Sequence, residues 1–454
     1  MTQEKRMKSM DRRRFLKTTG KSALGLALGP TVLRPGTRAV GANDRIIVGA
    51  MSSRGRGLYV AEQMAKRPDV EVAYLCDVDS RLFANGVKTL VASQGKEPKT
   101  ITDFRRMLDD KNVDVLLNGT PDHWHALPTI MACQAGKDVY VEKPLAHGII
   151  EGRRMVEAAR KYHRVVQMGN QSRSGPYAQA GVDYVRSGKL GEVHLVRVLN
   201  MKERPSIGHK EDAPTPPGVD YDMWLGPAPE RPFNPNRFHY NWHWFWDYSG
   251  GDIVNDGVHQ LDLARWTIGQ DYPRSVVCTG LKTFQDDQET PDTQSVQWAF
   301  DGLVMVFELT LWTPYMKKTS DEERNGDVFP NWMFNSTRVE VYGSKGLMMF
   351  GRQGDGWQVF GPDGNLVDGK KGRDPLPPHL DNFFACVKSR QTPNSDVEEG
   401  HKSTALAHLA NISYRLGGRR LTFDGKNERF GKDEEANKYL KTSGRAPWNI
   451  PDRV

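Results

Sequence analysis

Short apolar runs alternate with helical patterns along residues 45–170. Between the runs, apolar residues recur at the three-to-four spacing of an amphipathic helix. This alternation of strand and helix predicts an α/β domain built on a doubly wound parallel sheet. The predicted strands are residues 45–51, 70–76, 113–117, 138–141 and 165–168, with helices such as 58–66, 127–135 and 151–162 between them.

The pattern changes after about residue 190. Longer strand-like runs joined by turns (194–201, 275–281, 295–300, 305–312 and 338–343) predict a second domain with an antiparallel sheet. Residues 203–250 are rich in loops, and residues 379–416 return to helical periodicity. We therefore expect four segments: a leader (1–42), the parallel-sheet domain (43–170), the second domain (171–378), and helices with an extended wrap that packs back on the body (379–454).

The positive charge of the chain lies in the leader. The sequence holds 63 Lys and Arg against 56 Asp and Glu, a net charge of +7. Residues 1–42 contain ten of the bases and two of the acids, which leaves 53 bases and 54 acids in the rest. A body without excess positive charge gives no electrostatic case for a nucleic-acid partner.

The leader also carries an export pattern. Residues 12–17 read RRRFLK and resemble a twin-arginine motif; a weakly apolar stretch (22–33) and small residues suited to cleavage (39–42) follow. The apolar stretch is too short, and too rich in glycine and proline, to span a bilayer, so we expect no transmembrane anchor. We expect export to the periplasm; a disordered basic tail is the alternative.

A glycine-rich turn, GAMSSRGRG at residues 49–57, follows the first predicted strand. Such a turn lets the backbone approach a pyrophosphate, whose charge the next helix stabilises with its N-terminus. The strict GxGxxG pattern is broken, because Met51 and Arg54 occupy two glycine positions. A turn one residue longer, using Gly49, Ser53 and Gly55, would restore the function. A purely structural turn is the alternative.

The second predicted strand ends in Asp77 and Asp79. Asp77 lies about 20 residues beyond the glycine turn, where an acidic residue binds the adenosine ribose of a dinucleotide. Because a carboxylate there repels a 2′-phosphate, NAD is favoured over NADP. Capping of the following helix is the alternative role, and it suits Asp79 better.

Polar and aromatic side chains, NGTPDHWH at residues 118–125, follow the next strand. Ligands of such sheets bind at the carboxyl ends of the strands, so we expect this segment to contact nicotinamide or substrate. Its two histidines could ligate a metal, but no third ligand is near. The four cysteines show no CxxC spacing, so neither a metal site nor a disulfide framework is predicted. Helix capping by Asp122 is the alternative.

A lysine stands between a buried strand and a proline in VYVEKPL, residues 139–145. A residue before proline is kept out of the helical region, and the X–Pro bond can be cis, so the backbone fixes the direction of Lys143. Partial desolvation would lower its pKa, as acid–base chemistry at neutral pH requires. An ordinary solvated lysine is the alternative.

Residues 249–266 look helical from about Ile253. Asn255 and His259 are four apart and share one face, while Asp256 and Asp262 each lie three from His259. A histidine here could remove a proton while hydride leaves the same carbon. A buried core histidine is the alternative.

In order and spacing, these motifs resemble the glucose–fructose oxidoreductase/inositol dehydrogenase (Gfo/Idh/MocA) family over nearly the whole chain after the leader. The resemblance implies an N-terminal Rossmann domain and a C-terminal α/β domain with an open, mostly antiparallel sheet. Such sheets often form oligomer contacts, so we expect a homo-oligomer. It also implies that His259 is the acid/base and that Lys143 binds, or relays a proton from, the reacting hydroxyl.

The predicted site has three parts. The catalytic candidates are Lys143, His259, Asn255 and Asp256. The cofactor-binding candidates are Gly49, Ser53, Arg54, Gly55, Asp77, Thr120, Pro121, His123, His125, Glu142, Lys143 and Asn170. The substrate-binding candidates are Trp124, Lys143, Trp242, His243, Trp244, Asn255 and His259, and the aromatic run 240–246 could equally pack at the domain junction.

One residue departs from the family pattern. Many members carry aspartate four residues before the histidine, and this chain has Asn255 there. An amide does not titrate, so the tuning of His259 passes to Asp256 or to no residue. Some relatives use NAD transiently to eliminate a glycosidic bond, which keeps a redox-neutral glycosidase or lyase open as an alternative.

The leading hypothesis is hydride transfer from a pyranoside or polyol carbon to NAD. Free NAD is scarce outside the cytoplasm, so an exported enzyme is expected to hold its cofactor tightly. A non-catalytic carbohydrate- or cofactor-binding protein is the third hypothesis.

Overall fold

The computed structural model describes residues 45–442 and 444–454. The predicted twin-arginine motif, apolar stretch and cleavage segment lie outside the described residues. Within the described part, no helix is both long enough and apolar enough to cross a membrane.

The first sheet has six parallel strands: β1 (Ile46–Met51), β2 (Val70–Cys76), β3 (Lys99–Ile101), β4 (Val115–Asn118), β5 (Asp138–Val141) and β6 (Val166–Met168). Their order is β3-β2-β1-β4-β5-β6. All five predicted runs form strands, and the short β3 was not predicted. The order reverses between β1 and β4, which opens a crevice at the carboxyl ends of these strands.

Five helices connect these strands: α1 (Gly55–Ala65), α2 (Phe83–Gln94), α3 (Arg105–Asp109), α4 (Ala126–Gln134) and α5 (Ile149–Lys161). Helix α5 shows why they form. Met155, Val156 and Ala159 recur at helical spacing and are buried. Glu151 in its first turn and basic residues in its last turn complement the helix dipole.

The second sheet has nine strands: β7 (Val193–Met201), β8 (Ser275–Leu281), β9 (Thr293–Ala299), β10 (Val304–Thr310), β11 (Arg338–Gly343), β12 (Gly346–Gly351), β13 (Trp357–Phe360), β14 (Leu366–Lys370) and β15 (Leu421–Thr422). Their order is β14-β13-β12-β11-β7-β10-β9-β8-β15. The sheet is mixed, because β7 and β10 run parallel while the other neighbours are antiparallel.

The remaining helices are α6 (Pro176–Arg186), α7 (Tyr221–Leu225), α8 (Val258–Ile268), α9 (Asp321–Asn325), α10 (Leu376–Ser389), α11 (Val397–Arg415) and α12 (Glu434–Asn437). One face of the second sheet packs against helices. In β9, Gln294, Val296 and Trp298 are buried, while Ser295 and Gln297 between them are exposed. This period-two pattern leaves the opposite face of the strand open.

Helices α10 and α11 connect the two sheets. Phe383 and Phe384 of α10 belong to the same core cluster as Val48 and Leu117 of the first sheet. Helix α11 is buried along most of its length and packs against α5 on one side and α8 and β8 on the other. These contacts fix the second sheet beside the carboxyl ends of the first.

Candidate functional site

A cavity of about 310 Å³ lies at the carboxyl ends of β1, β2, β4 and β5. The opposite wall comes from residues 223–224, 239–240, 242–243 and Asn255. The structure thus brings together, from both parts of the chain, eleven of the predicted site residues: Arg54, Gly55, Asp77, Thr120, Pro121, Trp124, Glu142, Lys143, Trp242, His243 and Asn255.

Helix α1 begins at this cavity. Its N-cap residue Arg54 makes no side-chain capping bond, and its first turn has no acidic residue. Gly55 has φ +53°, and the space around its Cβ position is open. The backbone N–H groups of the first turn therefore suit a pyrophosphate, whose charge they and the helix dipole would stabilise.

Two glycines that the sequence analysis did not single out hold α1 against the sheet. A Cβ on Gly119 would lie 2.6 Å from Gly57 Cα, and a Cβ on Gly57 would lie 2.5 Å from Ser52 Cβ. This close approach is the packing role of the third glycine in a dinucleotide-binding turn. The position of Gly119 directly after β4 was the sequence signal that could have indicated this packing role.

We expect Gly119→Ala to lower the free energy of unfolding by about 1–3 kcal/mol, because the added methyl meets backbone that must shift. NAD retention should fall with it, since α1 moves. Urea titration and cofactor content of the purified variant measure the two effects. Gly148→Ala, whose Cβ would meet a methyl group of Thr442 at 3.2 Å, is the milder control; equal losses in both variants would contradict the packing role.

The turn that faces the cavity differs from the predicted one. Gly49 lies inside β1, and its Cβ position is 2.6 Å from Met107 Sδ, so the glycine serves packing and not the cofactor turn. Ser53 is buried outside the cavity lining. Ser52 lines the cavity instead, with φ 139°, a backbone conformation that favours glycine.

Asp77 organises this turn. Its carboxylate accepts hydrogen bonds from the backbone N–H groups of Ser53 (2.8 Å) and Asp79 (3.1 Å) while it lines the cavity. Burial raises the pKa of Asp77, and the two N–H groups oppose that rise. Asp79 caps the 3₁₀ helix Ser80–Leu82, the role the sequence assigned to it more readily than to Asp77.

His123 and His125 lie behind the cavity wall, although the sequence placed both at the cofactor. His123 Nε2 bonds to Trp224 O (3.0 Å), and its ring packs against Trp224 and Tyr248. His125 joins two cavity loops, with Nδ1 2.6 Å from Pro144 O and Nε2 2.9 Å from Thr120 O. Burial lowers the pKa of His123 to about 3 and that of His125 to about 4. Both histidines are neutral near pH 7 and support the loops that line the cavity. A neutral His125 has one N–H group, so it donates to only one of its two carbonyl neighbours at a time.

Asn170 follows β6 and is buried, but it does not line the cavity. Among the described residues, neither Oδ1 nor Nδ2 of its amide has a hydrogen-bond partner. The preceding Gly169 would bring a Cβ within 2.9 Å of the Glu142 carboxylate, so Asn170 stands next to the Lys143 segment. The structure therefore does not place Asn170 in contact with the cavity, where the sequence predicted a cofactor-binding role.

Lys143 joins the two halves of the site. Its Nζ donates to the backbone O of Asn255 (2.5 Å) and to Asn255 Oδ1 (3.2 Å). The Lys143–Pro144 peptide bond is cis. Burial lowers the pKa of Lys143, while the negative charges of Asp122 and Glu142 partly restore it. Glu142 itself accepts a hydrogen bond from Arg56 Nε at 3.1 Å.

A π-helical turn carries Asn255. Residues Ile253–Gly257 form this wider turn, and α8 continues from Val258. The sequence predicted a regular helix from about Ile253. Single π-turns are common at functional sites because they re-aim side chains within a helix. Here the turn directs Asn255 towards Lys143, while Asp256 faces a group of cations.

His259 is buried and does not line the cavity, although the charge of Lys143 reaches it. Burial and the positive charges of Arg352 and Lys143 hold the pKa of His259 well below the usual histidine range, against the opposing charge of Asp256. The imidazole is therefore neutral near pH 7 and able to accept a proton.

Family models match most of the described chain. The model of the oxidoreductase family NAD-binding Rossmann fold, GFO_IDH_MocA, matches residues 46–170, and the model of the family's C-terminal alpha/beta domain matches residues 206–308 and 354–450. The chain belongs to the Gfo/Idh/MocA oxidoreductase family. Its first sheet is the NAD-binding Rossmann domain, and the mixed sheet belongs to the C-terminal α/β part.

Among curated relatives, glycosyl hydrolase family 109 protein 1 of Shewanella sp. (strain ANA-3) is 25% identical over 206 residues, which covers 41% of this chain and 45% of the relative. The chain thus spans about half the length of the curated relatives it matches.

Two solved structures share the fold. The WlbA dehydrogenase of Bordetella pertussis, in complex with NADH and UDP-GlcNAcA, is 21% identical with a TM-score of 0.60, covering 84% of this chain and 99% of that one. The aldose–aldose oxidoreductase of Caulobacter crescentus, complexed with glycerol, is 18% identical with a TM-score of 0.63, covering 84% of this chain and 100% of that one.

The aromatic run of this family member divides between cavity and core. Tyr240, Trp242 and His243 line the cavity, and the Trp242 and His243 rings stack at 3.6 Å. Trp244 is buried outside the lining, with Arg204 over its ring. Trp244 therefore packs in the core and does not line the cavity, where the sequence predicted substrate binding. The short 3₁₀ helix Asn241–Trp244 points successive rings in different directions.

The cations around Asp256 are the residues that sequence reasoning missed. Lys318 Nζ and Arg352 Nη1 each lie 2.7 Å from the Asp256 carboxylate, and Lys202 Nζ also contacts it. These partners hold the pKa of Asp256 well below its usual range despite burial. Asp256 is thus permanently ionised and occupied by cations, so its part in tuning His259 is electrostatic.

Proposed function

We propose that this family member oxidises a secondary hydroxyl of a sugar or sugar-like polyol, with tightly bound NAD as the acceptor. The observation that carries the proposal is the contact of Lys143 Nζ with Asn255, which joins the sheet edge to the helix of His259. The fold neighbours support it, since one is a dehydrogenase in complex with NADH and UDP-GlcNAcA and the other is an aldose–aldose oxidoreductase.

The residues present fit the cofactor. The uncapped start of α1 suits the pyrophosphate, and the Asp77 carboxylate suits ribose hydroxyls and disfavours a 2′-phosphate. When bound, NAD supplies the two-electron oxidant of the reaction.

The protein's own residues manage the hydroxyl. Lys143 Nζ already donates to two oxygens of Asn255 and can exchange one of these bonds for the substrate oxygen, which fixes that oxygen and stabilises developing negative charge. His259, held neutral, accepts the hydroxyl proton. Asn255 orients Lys143 without titrating, because its oxygens accept from Lys143 Nζ. Trp124, Trp242 and Pro121 contribute apolar surface to the cavity lining.

Export and assembly complete the proposal. The twin-arginine-like leader favours export of the folded protein with its cofactor to the periplasm, where a retained NAD must be recycled in place. The exposed face of the second sheet supports homo-oligomer formation.

The test begins with the purified protein and its cofactor. We expect gentle denaturation to release NAD in an amount nearly equal to that of the protein. Mass spectrometry of the released material measures this. Adding a panel of pyranosides to the native protein should then raise the near-ultraviolet absorbance of reduced nicotinamide by up to one equivalent per chain. A protein that contains no NAD, and binds none on titration, contradicts the proposal.

A redox-neutral glycosidase is the second candidate. The match to a glycosyl hydrolase family 109 protein favours it, and so does the loss of a titrating side chain at Asn255. An aryl glycoside separates the two functions. Release of the aryl alcohol without net reduction of nicotinamide supports the glycosidase, whereas reduction without release supports the oxidoreductase.

A further inference from the structure

More positive than negative charge lies beside the proposed reacting centre. Four cations converge on two carboxylates: Lys202 on Asp252 (2.7 Å) and Asp256, Arg204 on Asp252 (3.0 Å), and Lys318 and Arg352 on Asp256 (2.7 Å each). We call these six residues the cation cluster. Its formal charge is +2.

The cluster is largely buried. The Asp252 side chain is fully buried, and those of Lys202 and Arg352 are 8% and 5% exposed. Placing unbalanced charge in such surroundings is costly unless a counter-ion compensates it. The two cations that remain within reach of a ligand are Arg204, with 19% of its side chain exposed, and Lys318, with 39%.

Neighbouring groups do not supply the missing negative charge. In residues 45–442 and 444–454, Asp252 and Asp256 are the only carboxylates in salt-bridge contact with the four cations. Lys143 adds a further positive charge nearby. Glu142 is engaged by Arg56.

Two other buried acids face this region. Burial raises the pKa of Asp122, beside Lys143, to about 7, and it also raises the pKa of Asp355, near Arg352. Asp122 is therefore only partly ionised near neutral pH, and in the described part of the chain Asp355 makes no salt bridge with any of the four cations. The excess positive charge of the cluster also affects Lys318. Partial burial and the charges of Arg352 and Lys202 lower the pKa of Lys318 to about 7.

The cluster adjoins the substrate end of the site. Asp256 directly follows Asn255, the partner of Lys143, and Arg204 Nη1 donates to the hydroxyl of Tyr240 at 2.8 Å. Tyr240 lines the cavity. The cluster thus adjoins the cavity through the Arg204–Tyr240 hydrogen bond and through the adjacent residues Asn255 and Asp256, while its own six side chains lie outside the cavity lining.

We propose that the substrate is an acidic sugar, whose carboxylate or sulfate group binds Lys318 and Arg204 and balances the cation cluster. This inference rests on the proposed function for the identity of the reaction, but the anion site can be measured without turnover. Binding of the acid would also bring a negative charge towards His259 and make it a stronger base.

The first experiment uses inorganic sulfate as the probe. We expect sulfate to raise the Tm of the wild-type holoenzyme. It should raise the Tm of Lys318→Met much less, because this variant lacks the more exposed of the two cations, Arg204 and Lys318, that are proposed to bind the anion. Lys317→Met, at the neighbouring exposed lysine, should respond as wild type does. Equal shifts in wild type and Lys318→Met overturn the proposal, as does the absence of any shift in wild type.

The second experiment compares methyl pyranosides with their uronic acid and sulfate ester counterparts in the gluco, galacto and manno series. We expect kcat/KM for reduction of bound NAD to favour an acidic member at least tenfold over its neutral partner. Lys318→Met should reduce this ratio of acidic to neutral kcat/KM about tenfold, the effect expected for loss of one hydrogen bond to a charged group. Added salt should also reduce the preference for the acidic sugar. The uronate and sulfate arms distinguish the two anions.

The outcomes separate this inference from the proposed function. A sulfate shift that depends on Lys318, without reduction of NAD by any sugar, supports the anion site and contradicts the oxidoreductase. Reduction of bound NAD by neutral and acidic sugars with equal kcat/KM supports the oxidoreductase and overturns the acidic-sugar inference.

Discussion

Replacing Lys143 with methionine is expected to lower kcat by about 10²- to 10⁴-fold, the range that a positioned acid–base group contributes. Methionine keeps much of the apolar length of the lysine side chain but removes the donor that contacts both oxygens of Asn255. Steady-state or single-turnover reduction of bound NAD measures the loss. NAD content should stay near wild type, because the pyrophosphate and ribose contacts lie elsewhere in the cavity.

Lys137→Met is the matched control for this change. Lys137 is also a buried lysine whose Nζ donates to a backbone carbonyl, that of Asp110 at 2.7 Å, but it does not line the cavity. Its variant should keep kcat even if its stability falls. A Lys143→Met enzyme with wild-type kcat would remove the lysine from the mechanism.

His259→Gln is expected to reduce kcat to a similar degree and to change the pH profile. In the wild type the imidazole must be neutral to accept a proton, so kcat/KM falls as pH drops through its pKa. That pKa lies below the ordinary value of 6.5, so the acid limb lies below 6.5 and the rate is insensitive to His259 at higher pH. Glutamine cannot titrate, so the variant should lack this limb. Rate profiles across the acid range measure it.

His408→Gln controls for loss of a buried ring. His408 Nε2 lies 2.9 Å from Ala146 O, away from the cavity. This variant should keep both its rate and its acid limb. An acid limb that persists unchanged in His259→Gln would assign the titration to another group.

The apolar pattern predicted the first sheet well because its strands are buried on both faces. Val115–Asn118 is entirely buried and reads as one apolar run, whereas Lys99–Ile101 is short and partly exposed and gives no such signal. The carboxyl-edge rule likewise found Asp77, Thr120 and Lys143, since a strand end fixes where the next residue lies.

Side-chain direction within the connecting segments was not predictable in the same way. The 3₁₀ turn Asp122–Trp124 sends Trp124 to the cavity and His123 behind it. The cation cluster was beyond reach for a different reason: Lys202, Lys318 and Arg352 come from three distant segments, and each alone reads as an ordinary surface charge. Only the folding of the second sheet brings them to Asp256.

The end of the described chain has a consequence for the order in which the site is assembled. The Trp448 ring packs against Trp124 at 5.2 Å, and Arg445 bonds to the backbone of Asp222 and Gly226. Trp124 lines the cavity, so its wall is braced by residues that leave the ribosome long after the Rossmann strands. The wall of the dinucleotide pocket therefore reaches its described shape only after Trp448 has packed against Trp124.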